Sequence, residues 1–194
     1  MAIDRDLELM LRVRAGDGDS FDLLLHRHRG PLVGFFFRML RDQALAEDLA
    51  QEVFLRVYQV RERYEPEAKF TTWLYRIATN LALNAIRDRK ETATSAQGGE
   101  APDAASLAER LPDGKPSAEQ QLVESERARV IWEAVESLAE NQRAAVLLHK
   151  YQDVDYRQIA AILEISESAV KSLLFRAYEN LRVRLEPLLR RGQI

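Results

Sequence analysis

The sequence contains no cysteine, which excludes disulfide bonds and thiolate metal sites and suits a reducing compartment. It also has no run of about 18 apolar residues, the length that a membrane-spanning helix requires. The N-terminal segment mixes charges of both signs from its fourth residue, unlike a signal peptide. These absences predict a cytoplasmic protein that does not insert directly into a membrane.

Glycine and proline are scarce, at eight and six of 194 residues, and alternating runs rich in valine or isoleucine are missing. Leucine, alanine, glutamate and arginine dominate instead, and residues of this kind favour helices. Hydrophobic residues make up 46% and charged residues 30%, too apolar a composition for a disordered chain. The sequence therefore predicts an all-α fold.

The formal net charge of -3 is unevenly distributed along the chain. Residues 91–126 carry eight acids and two bases, whereas the 90 residues before them and the 68 after them hold slightly more bases than acids. Composition thus predicts two small helical domains, residues 1–90 and 121–194, joined by a flexible acidic linker, residues 91–120. Ser117 to Gln120 can form a capping box that starts a helix at the end of this linker.

Two interpretations of the linker remain open. An inert tether is the simpler, because low-complexity segments of this composition commonly only connect domains. A segment that occupies a channel in a partner protein is the alternative.

Residues 156–177, YRQIAAILEISESAVKSLLFRA, predict two short helices joined by a tight turn. On the first helix, Ile159, Ala160 and Leu163 are expected to face inward, and Ala160 is small enough for a steep helix crossing. The inner face of the second helix is expected to hold Val170, Leu173 and Leu174. Ser166 is placed to cap the second helix. Glu164 stands where such turns usually hold glycine, and a left-handed conformation there costs about 1–2 kcal/mol.

The outer face of the second helix has the composition of a DNA-reading surface. Its exposed positions are predicted to be Ser168, Lys171, Ser172, Phe175 and Arg176. Cations and hydroxyls of this kind bind phosphates or base edges. The alternative is a helical hairpin whose charged face is merely solvated, but the small residue, the turn, the cap and the cations together favour DNA binding.

The N-terminal domain contains a predicted helix at residues 45–63, after a predicted break at Gly30 and Pro31. Its inner stripe is expected to contain Leu45, Leu49, Val53, Val57 and Val60. Beside the stripe lie Glu47, Asp48, Gln51 and Glu52, with Phe54 and Leu55 close by. Acids next to exposed apolar groups suggest a surface that docks another protein, although a simple solvated surface is equally compatible.

After Pro66, which ends the preceding helix, Thr71 or Thr72 is predicted to cap a helix that runs to Lys90. This helix interleaves aromatic, cationic and amide side chains, a combination that suits single-stranded DNA because rings stack on unpaired bases and amides read base edges. The alternative is that Trp73 and Tyr75 belong to the core, and Trp73 does share a helical face with two aliphatic residues.

Nothing in the sequence predicts an enzyme. It has no cysteine nucleophile, glycine-rich phosphate loop or metal-ligand cluster, and His26 and His28 point to different sides of a helix. No cofactor is expected.

Two motifs in order resemble a known family. They are residues 46–54, AEDLAQEVF, and residues 70–80, FTTWLYRIATN, followed by the helix-turn-helix. The chain resembles an extracytoplasmic-function RNA polymerase sigma factor of the sigma-70 family, sigma-E-like, which has only regions 2 and 4. The resemblance implies a sigma factor that directs promoter-specific transcription initiation; a stand-alone helix-turn-helix regulator is the alternative.

The resemblance also implies roles for matching residues. Docking on the β′ clamp helices of core RNA polymerase is implied for Glu47, Asp48, Gln51, Glu52 and Phe54. Capture of the −10 element is implied for Lys69, Phe70, Thr72, Arg76, Asn80, Asn84 and Arg87. Contact with the −35 element is implied for Ser168, Lys171, Ser172, Phe175 and Arg176.

Further partners follow from the same resemblance. They are the polymerase β flap, promoter DNA and an anti-sigma factor, for which a membrane anchor is one option. The linker would thread the active-site and RNA-exit channels of the polymerase, where an acidic strand mimics RNA.

Overall fold

The computed structural model describes residues 4–66, 68–95 and 118–190. Within these ranges the chain forms eight α-helices, one 3₁₀ turn and no strand, so the predicted all-α fold is confirmed. Most of the predicted linker, including the proposed cap Ser117, lies outside the described residues.

The N-terminal domain is built from four helices: α1 (Arg5–Arg14), α2 (Gly18–Leu40), α3 (Gln43–Gln59) and α4 (Phe70–Ser95), with the 3₁₀ turn at Arg61–Arg63. Aspartate side chains cap the first three helices, at Asp4, Asp17 and Asp42. Each accepts a hydrogen bond from a backbone amide of the first turn, which satisfies a donor that has no partner within the helix. These short-range contacts fix where each helix begins.

Helix α2 is continuous, so the predicted break at Gly30 and Pro31 is wrong. Pro31 lies inside the helix and is exposed, while Leu24, Leu32 and Phe35 on the other side are buried. Proline removes one helical hydrogen bond, but the apolar stripe continues across it and holds the helix together by packing. Tertiary burial therefore outweighs the local signal.

Two further expectations for this domain are wrong in detail. The buried stripe of α3 is shifted from the predicted one and consists of Ala46, Ala50, Val53, Phe54 and Val57. Ala46 and Ala50 are buried where the prediction had Leu45 and Leu49, and such small side chains let a helix pack closely against its neighbours. Neither threonine caps α4, because the helix begins at Phe70, and the carbonyl oxygen of Lys69 accepts from the Thr72 amide at 3.0 Å.

Helix α1 is attached to α2 through a buried polar contact. The Asp6 carboxylate lies 2.9 Å from Nε2 of His28, and Arg27 pairs with the same carboxylate at 3.0 Å. Asp6 and His28 are both buried. Burial lowers the pKa of His28, and the neighbouring Asp6 only partly opposes that shift.

The C-terminal domain contains the helices α5 (Ala118–Glu136), α6 (Glu140–Tyr151), α7 (Tyr156–Leu163) and α8 (Glu167–Arg190). Its core is formed by the inner faces of α6, α7 and α8, with Leu147, Leu148, Ile159, Ile162 and Val170 almost fully buried. Helices α6, α7 and α8 all contact one another. Together they form the frame that holds the predicted DNA-reading helix.

The two domains pack against each other. Helix α4 contacts α7, and α2 contacts α6. The Arg38 guanidinium lies 4.4 Å from the centre of the Tyr151 ring, and Arg143 donates to the backbone oxygen of Met39 at 2.8 Å. Lys90 at the far end of α4 pairs with Glu140. Cationic, aromatic and backbone groups therefore join the two domains at several separate points.

Replacing the helical Pro31 with alanine is expected to stabilise the protein. Alanine restores the missing amide donor, and the gain of about 3 kcal/mol is reduced by the greater entropy of the unfolded chain to about 2 kcal/mol. Urea unfolding followed by circular dichroism measures the difference. Arg29→Ala, an exposed substitution in the same helix, is the matched control. A Pro31→Ala variant no more stable than Arg29→Ala would contradict the expectation.

Because of the buried His28, the free energy of unfolding is expected to fall as the pH drops below 6.5, the ordinary pKa of a histidine. Because burial lowers the pKa of the folded state, the unfolded chain binds the proton at a higher pH, and acid therefore favours unfolding. Free energies of unfolding compared at about pH 7.5 and about pH 5.5 test this. His28→Gln keeps an amide donor for Asp6 but cannot titrate, so it should lose less stability. Equal losses in both proteins would exclude His28 as the cause.

Candidate functional site

The α7–α8 hairpin has the predicted helix-turn-helix geometry. Asp155 caps α7 through a capping box, accepting from the Gln158 amide at 2.8 Å while Gln158 accepts in return from the Asp155 amide. Glu164 takes the left-handed conformation, with φ 56° and ψ 41°, and the amide of Ile165 bonds back to Ala160. Ser166 accepts from the Ala169 amide at 3.2 Å, which confirms its role as the cap of α8.

The predicted outer face of α8 is exposed along its length. It comprises Ser168, Lys171, Ser172, Phe175 and Arg176. The spacing of three and four residues places all five on one side, while Val170, Leu174 and Ala177 are buried on the other. Phe175 is 69% exposed, an unusual degree for a ring of that size. The face can therefore meet duplex DNA with cations, hydroxyls and an apolar ring.

A polar stripe runs along the exposed side of α4. It contains Arg76, Asn80, Asn84 and Arg87, which follow one another at spacings of four, four and three residues. Arg87 donates to the Asn84 side-chain oxygen at 3.0 Å, a contact that does not use the amide nitrogen of Asn84. Lys69 is exposed just before the helix. Five of the seven residues predicted to contact the −10 element therefore reach the surface of the chain.

The other two members of that set are buried. Phe70 has no exposed area and packs against the rings of Tyr64, Trp73 and His28, with centres 5.6–6.4 Å away. Thr72 is 5% exposed and accepts a hydrogen bond from the Gln158 side chain at 3.1 Å. In this arrangement both residues anchor the start of α4. Their contact with DNA stays a prediction.

Sequence reasoning missed the role of Tyr75 between the domains. Its hydroxyl donates to the Gln152 side chain at 2.5 Å, and its ring packs edge-on against Phe35. Burial raises the pKa of Tyr75, so the hydroxyl keeps its proton and remains a donor. A contact between residues so far apart in the sequence leaves no periodic signal.

The acidic face of α3 contains Glu47, Asp48, Gln51 and Glu52. Asp48 and Gln51 are exposed, whereas Glu47 and Glu52 are half-buried and accept from Gln43 at 2.6 Å and from Arg56 at 2.7 Å. Each of these carboxylates is therefore paired within α3 by a contact of the kind that stabilises a helix only weakly. Asp48 and Gln51 face solvent between them.

Apolar residues accompany these acids differently from the sequence expectation. Phe54 is only 4% exposed and packs edge-on against Phe21, so it supports the face from below. Leu55 and Tyr58 supply the exposed apolar surface, at 57% and 45%. Leu55 follows Gln51 by one helical turn, a signal that could have placed it in the predicted docking set.

No group of histidine, aspartate and glutamate side chains that could hold a metal ion occurs within residues 4–66, 68–95 and 118–190. Over the same ranges no helix has the length and hydropathy needed to cross a membrane.

Two family sequence models match the chain. Sigma-70 region 2 matches residues 24–92, and Sigma-70, region 4 matches residues 128–181. The first match includes α3 and most of α4, and the second includes the helix-turn-helix.

Curated relatives match the chain over almost its whole length. The RNA polymerase sigma-H factor of Pseudomonas aeruginosa is 31% identical, with 96% of this chain and 97% of that protein covered. The RNA polymerase sigma factor CarQ of Myxococcus xanthus is 36% identical, with 89% and 93% covered. The ECF RNA polymerase sigma-E factor of Escherichia coli strain K12 is 30% identical, with 96% and 97% covered.

Solved structures show the same fold. CnrH, in complex with the cytosolic domain of CnrY, aligns with a TM-score of 0.67 at 20% identity over 95% of this chain and 99% of that one. RpoE from Bartonella quintana, in complex with the anti-sigma factor NepR, gives a TM-score of 0.68 at 20% identity over 86% and 96%.

Proposed function

Because the chain belongs to the extracytoplasmic-function sigma factors of the sigma-70 family, we propose that it directs core RNA polymerase to promoters through three separate surfaces. The observation that carries this function is the presence of both family regions in one chain, with the outer face of α8 exposed on an intact helix-turn-helix. A stand-alone regulator would not need a region 2 that matches a polymerase subunit family, so that alternative is not favoured.

The docking surface for core polymerase is proposed to be the acidic face of α3. Asp48 and Gln51 offer exposed polar groups, and Leu55 adds apolar area beside them. A patch that combines carboxylates with exposed apolar side chains suits a cationic helical partner, here the β′ clamp helices. Phe54 keeps a supporting role from within the core. The β flap is proposed as a second contact, made by the C-terminal domain.

The two DNA-reading surfaces are proposed to work on different forms of DNA. The outer face of α8 binds the −35 element as duplex, with Lys171 and Arg176 on phosphates or guanine edges. The stripe on α4 binds unpaired bases of the −10 element through its amides and arginines. Unpaired bases gain these contacts only after leaving the duplex, so binding stabilises the melted state. The polymerase supplies the chemistry, and the chain itself is proposed to be non-enzymatic.

Weak binding to DNA by the free chain is part of this proposal. Each domain carries only a small excess of bases, so few phosphates are neutralised. Binding becomes strong when core polymerase holds both surfaces on one promoter, because the second contact is then effectively intramolecular. Family membership also supports three further proposals. The chain divides into residues 1–90, 91–120 and 121–194, the linker threads channels of the polymerase, and the protein is cytoplasmic.

An anti-sigma factor is proposed as a further partner. Of the solved structures described above, RpoE is a sigma factor bound to the anti-sigma factor NepR, and CnrH is bound to the cytosolic domain of CnrY. The likeness in fold supports a similar regulator for this chain.

Reversing two charges on the α3 face is expected to abolish docking. Asp48→Lys with Glu52→Lys places cations where the partner's cations should bind, and juxtaposed like charges cost several kcal/mol. Two measurements check this. The first is retention of the variant on tagged core polymerase. The second is transcription of fragmented genomic DNA, in which sequencing of transcript 5′ ends locates the promoters used.

Glu8→Lys with Asp22→Lys changes the net charge equally on exposed residues outside α3 and should retain both activities. The docking assignment fails if the α3 variant is retained as well as this control. The sigma function fails if the unaltered chain yields no promoter-specific transcript.

Removing two cations from α8 is expected to weaken −35 binding while leaving docking intact. Lys171→Ala with Arg176→Ala should reduce promoter affinity about 10- to 100-fold and lower the salt slope by about 2, if both contact phosphate. Footprinting of the polymerase complex at several salt concentrations checks this. Arg12→Ala with Arg129→Ala removes two cations from other helices as a control. An unchanged −35 footprint in the α8 variant would refute the assignment.

A further inference from the structure

One arginine on α4 contacts the connection between α2 and α3. The Arg89 guanidinium donates from one nitrogen to the backbone oxygen of Leu40 at 3.0 Å, and from another to the carboxylate of Asp42 at 2.5 Å. Leu40 is the last residue of α2, and Asp42 caps α3. A single side chain therefore contacts the end of one helix and the start of the next.

Asp42 divides its two carboxylate oxygens between two contacts. Oδ1 accepts from the Leu45 amide at 3.0 Å and caps α3, while Oδ2 accepts from Arg89. Leu40 offers one of the carbonyl groups that the end of a helix leaves without a helical partner. A planar guanidinium presents its donors in a fixed fork that suits two such acceptors, whereas a lysine ammonium acts as a point charge.

The connection that Arg89 contacts consists of two residues, Arg41 and Asp42. Arg41 is left-handed, with φ 57°, and its amide donates to the backbone oxygen of Phe37 at 2.8 Å, which ends α2. Asp42 is extended, and α3 begins directly after it. The direction of α3 is set at these two residues, and Arg89 attaches them to α4.

Arg89 lies on the side of α4 that faces away from the polar stripe. It follows Arg87, the last residue of that stripe, by two positions, and two residues turn a helix by about 200°. Asn80 is nine positions earlier, which again places it about half a turn away. The Arg89 side chain therefore faces the α2–α3 connection and not the bases that the stripe is proposed to bind.

We propose that Arg89 is a positioning residue that holds the polymerase-docking helix α3 at a fixed orientation to the −10-reading helix α4. This inference rests on the proposed function and adds how two surfaces of the N-terminal domain are kept in register. Docking on polymerase places α3, and α4 presents its stripe to promoter bases correctly only when the two helices keep their angle. Arg89 acts through Asp42 and contacts neither polymerase nor DNA.

The contact has a strength that biases an orientation without deciding the fold. Arg89 and Asp42 are 47% and 36% exposed, and exposed ion pairs stabilise only weakly. The hydrogen bond to Leu40 is partly buried and adds to the pair. Because a contact can shift an equilibrium only by its own free energy, its loss should slow promoter melting about three- to tenfold rather than abolish it.

Two substitutions remove the contact, one from each side. Asp42→Asn keeps one oxygen to cap α3, since asparagine and aspartate cap about equally well, but replaces the other oxygen with a group that cannot accept from Arg89. Arg89→Gln removes the guanidinium. Each should slow promoter melting about three- to tenfold, measured as permanganate reactivity of unpaired thymines over time on a promoter found by the transcription experiment above. Core polymerase should retain both variants as well as the unaltered chain.

The double variant, a conservative variant and two controls separate positioning from other roles. Because Asp42 and Arg89 form one contact, the double variant should melt the promoter no more slowly than the slower single variant. Arg89→Lys keeps the charge and should recover part of the rate. Asp17→Asn makes the same change at the cap of α2, and Arg12→Gln removes an exposed pair within α1, so both should leave melting unchanged.

The orientation of the two helices can also be measured directly, without polymerase or DNA. The chain has no native cysteine, so spin labels attach only at Gln59→Cys on α3 and Asp88→Cys on α4. Gln59 ends α3, about 25 Å along the helix from Asp42, where a change of angle moves the label most. Double electron-electron resonance should give a broader or shifted distance distribution in Asp42→Asn and in Arg89→Gln, and an unchanged one in Asp17→Asn.

The proposal is overturned if the distance distribution or the melting rate stays unchanged in both single variants, or if the losses multiply in the double variant. Slower melting in Arg89→Gln alone would assign the arginine to DNA, and retention that falls together with melting would assign it to folding; either result refutes positioning. If the unaltered chain gives no promoter-specific transcript, the sigma function fails, and the distance measurement still decides whether Arg89 positions α3.

Discussion

The packing of aromatic rings around Phe70 is the contact on which the arrangement of the chain depends. Phe70 is fully buried at the first position of α4, between the rings of Tyr64, Trp73 and His28. His28 in turn connects α2 with α1 through Asp6. This cluster fixes both the start and the rotation of α4. The exposed polar stripe and the surface that receives α7 follow from that rotation.

Short-range chemistry made the C-terminal hairpin predictable. The Ser166 cap, the left-handed Glu164 and the alternation of buried and exposed residues on α8 all follow from signals within a few residues. The same reasoning misplaced the break at Pro31, because an apolar stripe on both sides of a proline can keep a helix continuous. Local signals are reliable where packing agrees with them.

Long-range contacts explain what sequence reasoning did not find. Nothing in the periodicity of α4 distinguishes Tyr75, which bonds to Gln152, from an ordinary core residue. Phe54 and Phe70 likewise matched family positions, yet burial gives them supporting roles in this arrangement. The −10 and docking sets predicted from the sequence therefore contain both exposed and buried residues, and their contacts with DNA and polymerase stay predictions. Only the tertiary structure separates these two groups.

The two tryptophans of the chain lie in contrasting surroundings. Trp73 packs on Tyr64 and Phe70 within its own domain, whereas Trp132 of the C-terminal domain stacks on Tyr151 and lies 5.9 Å from the guanidinium groups of Arg38 and Arg41 in the other domain. Separation of the domains would remove the cations from one indole and leave the ring contacts of the other in place. The chain thus carries an intrinsic fluorescent reporter of its own domain arrangement, with an internal reference, and needs no added dye.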